Sequence, residues 1–214
     1  MSAAAPGPAE AGEGSGREAH TPPPTPVPTL NLANFLTMSR LALVPLFIGA
    51  LFAGDGTDTS WRAIATALFA LASLTDQVDG WVARKYGLIT DFGKIADPIA
   101  DKALIGAALI GLSVLGELGW WVTVVIAVRE IGVTLLRFWV IRHGVIPASR
   151  GGKAKTMTQI AAIVAYLLPL PPSLDVVRWV LMGAALLLTV VTGVDYVVRA
   201  VRLRAAGERA VSGG

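Results

Sequence analysis

An all-α integral membrane protein, with six transmembrane helices around a polar cavity that faces the cytoplasm, is the fold this sequence predicts. Three observations predict it. More than half of the 214 residues are hydrophobic (54%) and only 15% are charged, giving a mean hydropathy of +0.62. The apolar residues gather into six segments, 36–53, 61–84, 95–115, 120–141, 156–168 and 176–198. The connections 54–60, 116–119 and 169–174 carry no Lys or Arg, whereas the opposite ends carry Arg84, Lys85, Lys94, Arg142, Arg150, Lys153, Lys155, Arg199, Arg202 and Arg204. Lys and Arg accumulate on the cytoplasmic side of membrane proteins, so the second set marks the inside. Both termini are then cytoplasmic, as an even number of spans requires.

Residues 1–28 hold seven of the thirteen prolines, with Gly, Ala and Glu but no apolar run, so they are expected to form a disordered tail. No basic start followed by a short apolar core is present there, and a cleavable signal peptide is not expected. Residues 29–204 form the predicted membrane domain and 205–214 a flexible C-terminal tail. Most of the segments approach the roughly 20 apolar residues that a ~30 Å hydrocarbon core demands. The first contains Arg40 and Pro45, the second opens on Trp61, and the fourth opens on Trp120 and Trp121. The fifth is short, and the sixth begins near Trp179 and ends near Asp195. These four of the six tryptophans fall at outer ends, where an aromatic belt is expected. Asp195, at the inner end of the sixth span, is expected to pair with a neighbouring arginine.

The composition excludes several chemistries. Without cysteine there are no disulfides or thiolate metal sites, and the default is oxygen ligands for hard metals. His20 and His143 are too few and too scattered to build a zinc centre. The net charge of +3 is spread over helix ends with no basic patch interleaved with aromatics, so nucleic acid is not an expected partner.

Against this apolar background stand two pairs of aspartates, Asp76 with Asp79 and Asp97 with Asp101. Residues three and four apart are neighbours on a helix surface, so each pair shares a face. So much negative charge in a low-dielectric setting needs concentrated positive charge beside it, and a divalent metal supplies it. Depth can be counted at 1.5 Å per residue: Asp76 lies ~22 Å from Trp61 and Asp101 ~24 Å from Glu117 on the next, antiparallel helix. Arg40 lies ~20 Å from Ala53, Arg137 ~26 Å from Trp120 and Lys155 ~21 Å from Pro169. All five share the cytoplasmic third of the bilayer. A metal cluster beside cations is equipment for handling phosphates, and at this depth a lipid phosphate enters from the side and a soluble one from the cytoplasm.

The string from Asp76 to Asp101 reads D-x2-D-G-x2-A-R-x8-G-x3-D-x3-D, through Gly80, Ala83, Arg84 and Gly93. It resembles, at every fixed position, the signature of the CDP-alcohol phosphatidyltransferases. Asn34, Thr37, Arg40, Pro45, Arg129-Glu130, Arg137, Pro147-Ala148 and the run Gly152-Lys153-x-Lys155-Thr156-x-x-Gln159 resemble the branch of that family that makes phosphatidylglycerophosphate. The resemblance covers residues 31 to about 200. It implies a six-helix enzyme, usually a homodimer, that moves a phosphatidyl group from CDP-diacylglycerol to sn-glycerol 3-phosphate and releases CMP. It also implies Asp76, Asp79 and Asp97 as metal ligands, with Asp101 as general base and contributor to a second metal. Asn34, Thr37, Arg40, Gly80, Ala83, Arg84 and, by position, Thr90 would hold the CDP-diacylglycerol.

The residue types suit those roles. Gly80 has no side chain where a nucleotide must approach, and Ala83 keeps the same face shallow. Arg84 offers a fork of donors to a diphosphate. Mg2+ suits carboxylates plus phosphates, with Mn2+ as a substitute. Arg137, Lys153, Lys155 and Arg129 are the candidates for the acceptor phosphate, although Arg129, only ~14 Å from Trp120, lies deeper and can instead pair with Glu130. Two other readings stay open: the same chemistry on inositol phosphate or phosphatidylglycerol, and a divalent-cation transporter. Against the transporter, the acids gather at the cytoplasmic end and no ladder continues outward.

Overall fold

Six long helices follow one another in a computed structural model that describes residues 32–86, 91–140 and 150–212. They are α1 (Leu32–Phe52), α2 (Thr59–Tyr86), α3 (Asp91–Val114), α4 (Trp120–Val140), α5 (Arg150–Leu167) and α6 (Asp175–Ser212). The expected tail 1–28 lies outside the described residues. Among the described residues there is no strand, and the chain is all-helical. Each apolar segment of the sequence falls, to within a residue or so, inside one helix. The helices reach beyond the apolar runs where polar residues continue them: α5 starts at Arg150, and α6 continues as helix to Ser212, through much of 205–214.

Local chemistry sets the connections at one end of the bundle. A short 3-10 turn, Ala53–Gly56, follows α1, with Gly54 at φ 61° and Gly56 at φ 71°. A side chain at Gly54 would bring its Cβ within 2.6 Å of Asp58 Cβ. Asp58 then caps α2, its Oδ1 accepting from the backbone N–H groups of Ser60 (2.8 Å) and Trp61 (3.0 Å). α3 closes on Gly116 at φ 75°, with the Glu117 N–H donating to the Leu112 carbonyl at 3.0 Å. This left-handed glycine stop lets the chain reverse into α4.

α1 packs on α2 and α3, α5 on α2 and α6, and α4 on α3 and α6. The core between them is Phe47, Leu51, Phe69, Leu109, Leu112, Ile163 and Leu167, all buried. The rings of Phe47 and Phe69 meet at a 5.7 Å centroid distance. At the α1–α3 crossing a Cβ on Gly111 would come within 2.5 Å of Leu51 Cδ2. The small residue lets the two helices sit close, as at membrane helix crossings.

Outside this core much of the described surface is apolar. Phe35, Leu46, Val128, Val176, Trp179 and Leu187 are among many large apolar side chains that stand exposed, far more than a water-facing monomer carries. Two stretches, Phe35–Gly56 and Pro172–Ala205, are long and apolar enough to cross a membrane by length and composition. Trp61, Trp120, Trp121 and Trp179 are exposed and lie at the helix ends near the 53–58, 115–119 and 168–174 connections.

Candidate active site at one end of the bundle

The sequence motif divides between two helices. Asp76, Asp79, Gly80, Ala83 and Arg84 lie within α2, and Asp97 and Asp101 lie within α3. Arg137 lies on α4 and Asn34 on α1. Thr90 falls outside the described residues, as do the side chains of Asn34, Asp79, Gly80, Ala83, Arg84, Asp97, Asp101 and Arg137. Among the described residues, no three or more His, Cys, Asp or Glu come together as a metal site. Of the four aspartates, Asp76 is the one whose side chain is described.

Asp76 is bound to α1. Its Oδ1 accepts from Arg40 Nη1 at 2.5 Å, and the arginine is wholly buried while the carboxylate is partly open. Depth counting had put the two residues at one level, and the α1–α2 packing brings them together. A buried guanidinium left alone would be costly, and the partly exposed carboxylate beside it offsets that cost. Thr37, one turn before Arg40, is also buried.

A second cluster joins α4, α5 and α6. Glu130 Oε1 accepts from Lys155 Nζ at 2.5 Å and from Arg129 Nη1 at 2.9 Å. Arg129 also donates through Nη2 to Thr192 Oγ1 at 3.0 Å. Its side chain lies over Gly193, where a Cβ would stand 3.1 Å from Arg129 Cγ. Lys155 is buried, whereas Lys153, two residues before it, is exposed. One carboxylate thus serves two cations, and the cluster keeps net positive charge. Sequence reasoning offered Glu130 only as a partner for Arg129, and the structure adds Lys155 to it. Its signal was present, because an acid next to an arginine in an apolar helix asks for a partner.

Farther along α6, Arg199 Nε meets Asp195 Oδ2 at 2.9 Å, the pairing expected of that aspartate. Arg204 lies over the ring of Trp139, with 4.2 Å from its guanidinium carbon to the ring centre, and so fastens α6 to α4.

A profile of the CDP-alcohol phosphatidyltransferases matches residues 30–191. The chain belongs to that family. Among curated relatives, the "Probable phosphatidylglycerophosphate synthase" of Mycobacterium tuberculosis (strain H37Rv) is 60% identical over 172 residues, covering 80% of this chain and 82% of the relative. The "CDP-diacylglycerol--glycerol-3-phosphate 3-phosphatidyltransferase" of Bacillus subtilis is 41% identical over 183 residues, 78% of this chain and 93% of the relative. A protein of the same name in Rickettsia felis is 38% identical over 171 residues. As a CDP-alcohol phosphatidyltransferase the chain is an enzyme, and its apolar exterior suits a membrane-associated one.

Proposed function

We propose that this chain transfers the phosphatidyl group of CDP-diacylglycerol to sn-glycerol 3-phosphate, giving phosphatidylglycerophosphate and CMP. The observation that carries the reading is the cationic cluster of Arg129 and Lys155 around Glu130, at the same end of the bundle as Asp76 and Arg40. The names of the relatives agree with that acceptor. In this reading all six helices span the bilayer, both termini and the site face the cytoplasm, and the enzyme is a homodimer. The Lys/Arg asymmetry and the apolar exterior support the orientation.

The donor set offered by α2 and α3 is oxygen only, in a chain without cysteine, and it fits a hard divalent cation. Asp76, Asp79, Asp97 and Asp101 would hold Mg2+, with Mn2+ as a substitute. When bound, the metal would draw charge from the diphosphate and stabilise the departing CMP.

The residues of the chain do the rest. Arg84, Gly80, Ala83, Thr90, Asn34, Thr37 and Arg40 seat the CDP moiety, and Arg40 also fixes the rotamer of Asp76. Lys155, Lys153, Arg137 and Arg129 neutralise the acceptor phosphate, with Glu130 holding Lys155 in place. Asp101 takes the proton from the acceptor hydroxyl as its oxygen bonds to the β-phosphorus, and the bond from that phosphorus to the bridging oxygen breaks to release CMP. Purified protein given CDP-diacylglycerol and a panel of acceptors tests the proposal: CMP release is expected with glycerol 3-phosphate. Release with inositol phosphate or phosphatidylglycerol alone would replace the acceptor, and metal uptake into proteoliposomes without any CMP release would replace the enzyme by a transporter.

A further inference from the structure

The carboxylate of Glu130 is bound through one oxygen only. Arg129 Nη1 and Lys155 Nζ both donate to Oε1, at 2.9 and 2.5 Å. Among the described residues Oε2 receives no hydrogen bond, and it is not one of the buried polar atoms that are sealed off without partners. It therefore stands open. A guanidinium beside a carboxylate can hold both oxygens with its fork of donors, but here the fork is divided. Arg129 Nη2 turns instead to Thr192 Oγ1 on α6, at 3.0 Å. Gly193 leaves room for the arginine stem on that side, since a Cβ there would stand 3.1 Å from Arg129 Cγ. Packing against α6 thus draws the guanidinium off Oε2.

Glu130 also borders a cavity of about 250 Å³ between α3, α4 and α5, whose polar part includes Lys102, Lys155 and Thr156. At 24% its side chain is the most exposed of the ion cluster, against 16% for Arg129 and 7% for Lys155. The polar side chains that share the wall do not bond to Oε2. The hydroxyls of Thr123 and Thr156 are engaged with Ser113 and with the Gly152 carbonyl, and among the described residues Lys102 forms no ion pair with Glu130. A group that meets Oε2 must donate a hydrogen bond and must lie beside whatever anion Lys155 holds. A hydroxyl one or two carbons from a phosphate has that chemistry. Glycerol 3-phosphate carries its attacking hydroxyl, its middle hydroxyl and its phosphate on successive carbons. α3 bears Asp101 and, in the next residue, Lys102 of the cavity wall. α5 bears Lys155, and Glu130 on α4 is bonded to it.

We infer that Glu130 Oε2 accepts a hydrogen bond from the middle hydroxyl of the acceptor, which makes Glu130 the residue that selects one enantiomer of glycerol phosphate. This rests on the reading of glycerol 3-phosphate as the acceptor. A base at one end and cations at the other fix two points of the molecule, and two points do not distinguish mirror images. A third contact, at the central carbon, does.

The test measures CMP release by the purified protein from CDP-diacylglycerol with three acceptors. They are sn-glycerol 3-phosphate, its enantiomer sn-glycerol 1-phosphate, and 3-hydroxypropyl phosphate, which lacks the middle hydroxyl. In the wild type, kcat/KM should fall about 10- to 100-fold from the first to each of the others, the worth of a hydrogen bond to a charged group. Glu130→Ala should bring the three values to near equality. A Glu130 that merely held Lys155 would, when lost, weaken all three acceptors alike; survival of the wild-type ratios in that variant overturns the inference. So does a wild type that uses the three equally well. Glu130→Gln keeps the shape of the side chain and serves if thermal melting shows Glu130→Ala to be unfolded. In it the charged bond becomes a neutral one, roughly half as strong, so the ratios should fall about threefold or more, and undiminished ratios overturn the inference as well. A wild type that releases no CMP with glycerol 3-phosphate but does with an unrelated acceptor overturns the acceptor reading and this inference together, whereas release with unaltered ratios in the variants overturns this inference alone.

Discussion

The two ends of this bundle use the same residue types for different purposes. At the 53–58, 115–119 and 168–174 end, Arg62 donates through Nη2 to Glu117 Oε2 at 2.6 Å and to the Tyr166 carbonyl at 2.7 Å. Arg178 donates to the carbonyls of Ala165 (3.0 Å) and Leu168 (2.8 Å) and to Asp175 Oδ1 (3.0 Å). Those carbonyls belong to the last turn of α5 and the residues after it, groups that a helix leaves without partners, and a cation there also complements the helix dipole. Every acid in this network has its own arginine, and the arginines are spent on closing the fold. At the Asp76 end, one carboxylate serves two cations on α4 and α5, and four aspartates fall on two neighbouring helices. Charge that is balanced and turned toward backbone carbonyls is structural, and charge left in surplus is available to a substrate.

The strongest way to break that contrast is to remove one of the expected metal ligands. Asp76→Ala, Asp79→Ala or Asp97→Ala should abolish CMP release at any accessible Mg2+ concentration while the protein still melts as a folded species, and full activity in one of them would take that aspartate out of the site. Asp101→Asn should lower turnover by about 10²–10⁴-fold, the usual worth of a positioned base, with a smaller effect on either KM; unchanged turnover would leave the base unassigned.

Lys155→Ala should raise the KM for glycerol 3-phosphate about tenfold or more, as loss of a charged hydrogen bond does, and move the KM for CDP-diacylglycerol less. The reverse pattern would assign Lys155 to the nucleotide. Arg62→Ala should do the opposite of all three: lower unfolding stability by about 1–3 kcal/mol through the groups it orphans, yet leave activity per folded molecule intact. Loss of turnover without loss of stability there would erase the distinction between the two ends. The smallest effect belongs to Arg199→Ala, whose pair with Asp195 is about half exposed, and which should change stability by less than about 1 kcal/mol.

The helix order and the common level of Arg40 and Asp76 were legible in the sequence for one reason: hydropathy reports position along the bilayer normal, and counting along each helix converts it into depth; that the two side chains pair was not. The same signal is blind to helix that leaves the apolar layer. It therefore missed the start of α5 at Arg150, where the residues are Gly, Lys and Ala, and the continuation of α6 past 198, where Arg and Ala sustain the helix without apolar character. Depth also says nothing of which helices are neighbours. The bond from Lys155 to Glu130, the reach of Arg62 to Glu117 and the cavity between α3, α4 and α5 all depend on lateral packing, and no spacing within one helix encodes that. Arg62 and Arg178 are a further instance, since both sit at the end that the charge asymmetry marks as poor in cations. Their carboxylates and the capped carbonyls account for them.

The close seating of Leu51 over Gly111 has a consequence for motion. A Cβ at position 111 would meet Leu51 Cδ2 at 2.5 Å, so the absence of one lets α1 approach α3 closely, and α2 is tied to α1 through the Arg40–Asp76 pair. α1 thus couples the two aspartate-bearing helices, α2 and α3, so a displacement of either is felt by the other.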